Sequence, residues 1–318
     1  MLTGLGRVLA VTALLVPSGL SLASTERVVP YVVGGEDASQ GEYPWMTQLK
    51  AGSSYCGAVL INEQWVLSAA HCTFDQYFAG HHVQPSAIKL KIGDDVFSYL
   101  DNDGERVSEV CQHPDYVDFS DNHVDRVTGD NDLVLLRLTQ ASSVTPISFN
   151  QKAVFDDYSP GFGMRVIGFG RVNNDPDNPE YLDTLQQADL FLTAQAACED
   201  VYGSDLLSAQ MFCADSPVAD SCSGDSGGPL LIDEGSQYKL AGIVSWGTSS
   251  CAGAPGVYAD VGQLAPWINQ VINANAEERL DANLCSQREA IARPESAGGA
   301  LGGIGLIALL LLGRVRRS

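Results

Sequence analysis

An all-β fold is predicted by three features of the sequence. Short apolar runs of four to six residues recur through its middle, and many are β-branched or alternate with period two. Gly, Asn, Asp and Pro separate them, which marks turns between strands. Only one segment carries helical spacing. In chain order the runs are Ala58–Ile61, Trp65–Ala69, Ile88–Ile92, Leu133–Leu138, Met164–Ile167, Pro229–Ile232 and Leu240–Ser245. Each is too short for an ordinary helix and long enough for a buried strand. Val261 to Ala274 is the helical exception, with Leu264, Trp267, Ile268 and Val271 three and four residues apart. There is no repeat of 20–50 residues, and the polar stretch 286–296 (SQREAIARPES) reads as a linker.

The chain has 318 residues, with 39 acidic against 18 basic side chains and a net charge of −21. That balance excludes a nucleic-acid binder, which needs a basic face against phosphate. With 45% hydrophobic and 18% charged residues it is neither a disordered chain nor a coiled coil. The ends differ from the middle, for neither the first 23 nor the last 22 residues contain an acid. Residues 1–23 carry Arg7, an apolar run from Val8 to Val16 and Ser21-Leu22-Ala23, the pattern of a secretory signal peptide. Residues 297–318 open on Ala297-Gly298-Gly299-Ala300, continue apolar to Gly313 and close on Arg314, Arg316 and Arg317. The 17 residues from 297 to 313 reach the lower limit for a transmembrane helix, with the arginines cytoplasmic. Seven basic and three acidic residues fall outside 32–285, so that body keeps 11 basic and 36 acidic residues, net −25.

An exported chain makes its eight cysteines meaningful: Cys56, Cys72, Cys111, Cys198, Cys213, Cys222, Cys251 and Cys285. An even count in an oxidising compartment points to four disulfides, and spacing alone leaves all their pairings open. A zinc site is disfavoured, because no Cys-x-x-Cys occurs and the histidines are not spaced as ligands.

Three stretches carry the chemistry. Ala69-Ala70-His71-Cys72 follows a strand, and Asp130-Asn131-Asp132 precedes another. Asp220-Ser221-Cys222-Ser223-Gly224-Asp225-Ser226-Gly227-Gly228-Pro229 sets a serine among glycines. Acyl transfer by serine needs a base for its proton and an acid that fixes the tautomer of that base. It also needs donors for the oxyanion, and glycines allow backbone N–H groups to converge there. Gly224-Asp225-Ser226-Gly227-Gly228 also fits the G-x-S-x-G elbow of α/β-hydrolases. That fold demands a helix after the serine and a histidine later in the chain. Here Pro229–Ile232 continues as strand, and all five histidines (71, 81, 82, 113, 123) precede Ser226.

Residues 32 to about 275 therefore resemble a chymotrypsin-fold, trypsin-like serine protease. The matching motifs are Val32-Val33-Gly34-Gly35, Ser68-Ala69-Ala70-His71-Cys72, Asn131-Asp132-Leu133, Gly224-Asp225-Ser226-Gly227-Gly228-Pro229, Ser245-Trp246-Gly247, Pro255-Gly256-Val257-Tyr258 and the Trp267-Ile268 helix. The resemblance implies two six-stranded antiparallel β-barrels, with the active site between them and a C-terminal helix. It implies Ser226 as nucleophile, His71 as general acid/base, Asp132 as its orienting carboxylate, and the N–H groups of Gly224 and Ser226 as oxyanion hole. It further implies the disulfides Cys56–Cys72, Cys198–Cys213 and Cys222–Cys251. Cys111 and Cys285 lie outside that pattern, and we expect them to pair, tying the segment after the last helix to the first barrel. Two free thiols or an intermolecular bridge are the alternative.

By the same resemblance Asp220 lies at the base of the primary pocket, with Ser245, Trp246, Gly247 and Gly256 along it. A desolvated carboxylate there favours Arg or Lys, and glycines leave room for a long side chain. Activation is implied to run through the new N-terminus of Val32 pairing with Asp225. Tyr31 precedes Val32 where Arg or Lys would be usual, so residues 24–31 read as a propeptide cut in trans by a protease that accepts Tyr. The tail resembles the GlyGly-type sorting signals of Gram-negative exoproteins, implying a membrane tether and processing by a rhomboid-like protease; a plain membrane anchor is the alternative. No cofactor is expected, although the acids Asp94, Asp95, Asp101, Asp103, Glu105 and Glu109 are a candidate calcium loop. The expectation is a secreted or cell-surface endopeptidase acting on proteins or peptides with Arg or Lys. An inactive homologue used for binding is the alternative, and the intact Ser226, His71 and Asp132 weigh against it.

Overall fold

A computed structural model describes residues 33–74, 82–98, 104–119, 127–251, 253–286 and 290–291. The signal segment, the propeptide, Val32, Asp101, Asp103 and the apolar tail lie outside the described residues. Among the described residues, no helix is long and apolar enough to cross a membrane.

The first six long strands are β1 (Met46–Ala51), β2 (Ser54–Asn62), β3 (Trp65–Ser68), β4 (Ile88–Ile92), β5 (Glu105–Gln112) and β6 (Val134–Leu138). They pair antiparallel in the order β1-β2-β3-β6-β5-β4 and close on themselves. A second set follows: β7 (Gly163–Gly168), β8 (Gln186–Leu192), β9 (Met211–Asp215), β10 (Pro229–Asp233), β11 (Tyr238–Trp246) and β12 (Gly256–Asp260). Its ring runs β7-β8-β9-β12-β11-β10 and is also antiparallel. Every predicted run lies on one of these strands, or within a residue of its end. Closure removes the open edges that single sheets would expose. Among the described residues four two-residue strands were not foreseen, two of them on the second barrel. Glu36–Asp37 pairs with β8, carrying the start of the chain onto the second barrel, and Ser148–Phe149 pairs parallel with β11.

The barrels are filled by alternate strand residues, including Leu49, Leu60, Leu67, Leu90 and Leu135 in the first and Val166, Leu190, Phe212, Leu230 and Tyr258 in the second. The predicted helix is α2 (Val261–Asn273), counted after α1 (Gln195–Tyr202). Asp260 caps α2 by accepting from the N–H groups of Gly262 and Gln263 at 3.0 and 3.1 Å. Leu264, Trp267, Ile268 and Val271 pack into the same core as the first barrel.

The expectation of a single helix is corrected by α1, by α3 (Ala276–Asp281) and by a single helical turn at Val154–Asp157. α1 has a weak apolar stripe, so its signal is faint. α3 announces itself locally through a capping box between Asn275 and Glu278. The stretch after residue 275 begins with this helix, and Ala290–Ile291, within the segment read as a linker, pair parallel with His82–Val83. Arg279 explains why a polar segment docks. Its guanidinium grips Glu109 of β5 at 2.8 and 2.6 Å, lies 5.1 Å over the Trp65 ring and donates to the Val271 and Ala274 carbonyls. Cys285 then bonds to Cys111, and the Trp267 indole donates to the Leu284 carbonyl at 2.8 Å.

Candidate active site

His71 sits on a short 3-10 turn, Ala70–Thr73, that follows β3. Asp132 lies at the mouth of β6, and Asn131 before it adopts a left-handed backbone (φ 54°) that turns the carboxylate inward. The two meet between the barrels. His71 Nδ1 is 2.8 Å from Asp132 Oδ2, and the His71 backbone N–H donates to Oδ1 at 2.9 Å. Ser245, expected only as a pocket residue, donates its hydroxyl to Asp132 Oδ2 at 2.5 Å. Asp132 is fully buried, so these contacts replace the water it has lost. Desolvation, the largest single influence on His71, pulls its pKa down. The charge and hydrogen bond of Asp132, with the charge of Asp118, outweigh it and hold the imidazole above its ordinary value.

Ser226 lies on a tight turn ahead of β10. Asp225 N–H donates to Cys222 O at 2.9 Å, Gly227 N–H to Val244 O at 2.8 Å and Gly228 N–H to Asp225 O at 2.8 Å. These bonds do not involve the amides of Gly224 and Ser226. The turn needs glycine at 227, where φ is 76° and an added Cβ would strike the Ser68 hydroxyl and the Gly57 carbonyl. Gly57 N–H donates to the Ser226 carbonyl at 2.8 Å, so the first barrel holds the serine turn of the second.

Asp225 is buried and accepts from the N–H groups of Gly170 and Cys222 at 2.8 Å each. Burial still pushes its carboxyl up to about 6. The Val33 carbonyl accepts from Asp220 N–H at 2.9 Å, and the Val33 side chain packs on Cys222 and Cys251.

Beside Ser226 opens a cavity of about 140 Å³, lined by Asp220, Ser221, Cys222, Ser245, Trp246, Gly247 and Gly256 among others. Asp220 is only 6% exposed, and its Oδ1 has no hydrogen-bond partner among the described residues. Burial, abetted by Asp215 and Asp225, pushes its carboxyl up to about 7 despite a backbone hydrogen bond from Ser221. The neck is glycine on both sides. A Cβ on Gly247 would face Gly256 Cα at 3.8 Å, and one on Gly256 would lie 3.2 Å from Asp220 Oδ1.

A family model described as Trypsin matches residues 32–268. The chain belongs to the trypsin family. It is similar to human Serine protease 1, with 32% identity over 77% of this chain and 91% of that protein. Human Kallikrein-7 is 31% identical over 81% of this chain and 94% of its own length. Human Kallikrein-8 is 32% identical over 76% and 87% respectively.

In this trypsin-family chain the cysteines pair as Cys56–Cys72, Cys111–Cys285, Cys198–Cys213 and Cys222–Cys251. Cys56, His71 and Cys72 offer three potential metal-ligand atoms within 4.8 Å, but the two sulfurs are bonded to each other and neither is a thiolate. In the acidic loop, Asp94 pairs with Lys91 at 2.6 Å and Glu109 is held by Arg279, so both already have cations. Three contributors were missed from sequence. Arg171, buried, donates to Ser249 O at 2.7 Å and props the Cys222–Cys251 wall of the pocket. Phe119 stands edge-on to His71, with ring centres 5.7 Å apart, and Gly129 lies against it. Nothing in their local sequence marks them, because each acts through a neighbour remote along the chain.

Proposed function

We propose that this chain is a secreted serine endopeptidase, made as a zymogen, that cleaves peptide bonds after Arg or Lys through an acyl-enzyme. The observation that carries the specificity is the buried carboxylate of Asp220, unpartnered at Oδ1 beneath a glycine-necked cavity next to Ser226. A guanidinium or ammonium restores the solvation this acid has lost, which a neutral side chain cannot do.

In the first step Ser226 Oγ bonds to the scissile carbonyl carbon while its proton passes to His71 Nε2. Negative charge gathers on the carbonyl oxygen, where the N–H groups of Gly224 and Ser226 receive it. The tetrahedral intermediate collapses as the C–N bond breaks, and His71 gives its proton to the leaving amine. Water then attacks the ester with His71 again as base, and the acid product leaves Ser226 protonated. The raised imidazole pKa favours His71 as proton acceptor, and Asp132 and Ser245 hold it in the tautomer with Nε2 free.

Activation is assigned to the ammonium of Val32 after cleavage behind Tyr31. A buried Asp225 whose only polar partners among the described residues are two backbone amides suits a cation as third partner. N-terminal sequencing of active enzyme should find Val32 first, and any other start would refute this route. The signal segment and four disulfides suit export, with the tail as a transient membrane tether removed by a rhomboid-like protease.

Peptide-library cleavage tests the whole proposal. Wild-type enzyme should cut after Arg and Lys, and Asp220→Ser should lose that cleavage by a factor of 10³ or more while still reacting with a serine-directed phosphonylating reagent. Wild type that fails to react with the reagent would instead favour the inactive binding homologue.

A further inference from the structure

The direction of the Gly224 N–H is set by the peptide it belongs to. A peptide unit is planar and trans, so its N–H and C=O point opposite ways. Whatever holds the Ser223 carbonyl therefore aims the Gly224 N–H, and that carbonyl accepts from Arg171 N–H at 2.8 Å. The residue before Arg171 meets the same turn. Gly170 N–H donates to Asp225 Oδ1 at 2.8 Å, and a Cβ on Gly224, where φ is 103°, would lie 3.0 Å from Gly170 Cα. Gly170-Arg171 thus touches residues 223, 224 and 225 in succession, although it stands at the root of an exposed loop. Val172 N–H donates to Glu180 O at 2.9 Å, and residues 174–181 are exposed. Arg171 itself is only 3% exposed. Its guanidinium donates to Ser249 O at 2.7 Å and lies 3.2 Å from Cys251 Sγ, both on a wall of the Asp220 cavity. Among the described residues no carboxylate pairs with it, and its Nε has no hydrogen-bond partner. An apolar side chain would fill that space without burying a charge, so what the guanidinium supplies is its reach to the Ser249 carbonyl.

We infer that Arg171 is a positioning residue, whose guanidinium fastens the 170–171 segment to the pocket wall at Ser249 and so keeps the Gly224 N–H aimed at the oxyanion. This rests on the assignment of Ser226 as nucleophile, the Gly224 amide as oxyanion donor and Asp220 as pocket base. The contacts form a closed frame. It runs from Arg171 N–H to Ser223 O, through Cys222 and its disulfide to Cys251, and back by Ser249 O to the guanidinium. Opening the frame at the guanidinium leaves the root of the exposed loop held to this turn by backbone contacts alone. The Ser223–Gly224 peptide is then freer to rotate, because glycine at 224 has no Cβ to oppose the other orientation. A rotated peptide turns its carbonyl toward the developing oxyanion, where it repels the charge that the N–H would stabilise. Methionine at 171 would keep the stem and donate nothing, whereas lysine would keep a donor without the planar fork.

Two inhibitors separate the oxyanion site from the pocket. An aryl amidine uses the Asp220 pocket alone. A peptide aldehyde ending in arginine fills the same pocket and also bonds its carbonyl carbon to Ser226 Oγ, whose proton passes to His71. Its oxygen then carries the negative charge onto the Gly224 and Ser226 amides. Inhibition constants for both compounds are measured on wild type, Arg171→Met and Arg171→Lys, with folded enzyme counted by amidine-binding stoichiometry. Arg171→Met should weaken the aldehyde by about tenfold more than the amidine and lower kcat by a similar factor, with KM little changed. Arg171→Lys should recover part of both losses. An Arg171→Met enzyme that binds the amidine and keeps the wild-type ratio of the two constants overturns the inference, as does equal weakening of both compounds. Should Arg171→Met fail to bind the amidine, the Arg171→Lys ratio decides: a loss confined to the aldehyde supports the inference, and the wild-type ratio overturns it. Wild type that binds neither compound would instead overturn the Arg/Lys assignment.

Discussion

Asp220 is where single residues decide most. Its neutral form is favoured up to about pH 7 in the empty pocket, because burial penalises the anion. A cationic ligand favours the anion, so below pH 7 binding must first expel a proton. Affinity for an aryl amidine should therefore rise as pH climbs from 5.5 to 7.5, by up to tenfold per unit at the acid end. Inhibition constants measured across that range check it, and Asp220→Asn should bind weakly with a flat profile. The same logic shows which residues were readable. Ser226, His71, Asp132 and Asp220 sit in stretches whose composition already suggests chemistry. Ser245 carries no such mark for its bond to Asp132, and that role exists only because β11 ends beside β6.

Among the elements, strands and the long helix follow from periodicity because burial on a barrel interior is periodic. Short helices do not, since their stability comes from neighbours. α3 shows this, with six residues and an exposed Leu280 that contributes little apolar burial. What fixes it is the capping box and the Arg279–Glu109 pair. Arg279→Ala leaves Glu109 partly buried beside Trp65 without its cation and frees the Val271 and Ala274 carbonyls at the end of α2, so it should cost about 3 kcal/mol. Denaturant unfolding provides the measurement. Glu109→Gln in a double-mutant cycle should show coupling, and additive effects would mean the pair is incidental. Asn275→Ala should cost less, about 1 kcal/mol, as the loss of a single cap.

At the scale of the whole molecule, the chain's late segment returns to its first barrel. Cys111–Cys285 spans 174 residues, and the entropy of so long a loop makes the bond worth about 5 kcal/mol in the unfolded-chain picture. Cys111→Ser with Cys285→Ser should lower the thermal midpoint by several degrees, read by calorimetry, while the kcat of the remaining folded enzyme changes less than twofold. The body's net charge of −25 surrounds this frame, and the docking of Arg279 on Glu109 is one place where it is locally cancelled. By itself the sequence determined the barrel strands, the α2 helix, the family and the stretches bearing His71, Asp132 and Ser226, since each depends on local pattern or on residue type at short spacing. Only the tertiary structure decided the Ser245–Asp132 bond, the docking of α3, the Arg171 prop and the filling of the Gly129 gap by Phe119. Those contacts join residues far apart in the chain, and no local periodicity records which distant surfaces the two barrels will bring within reach.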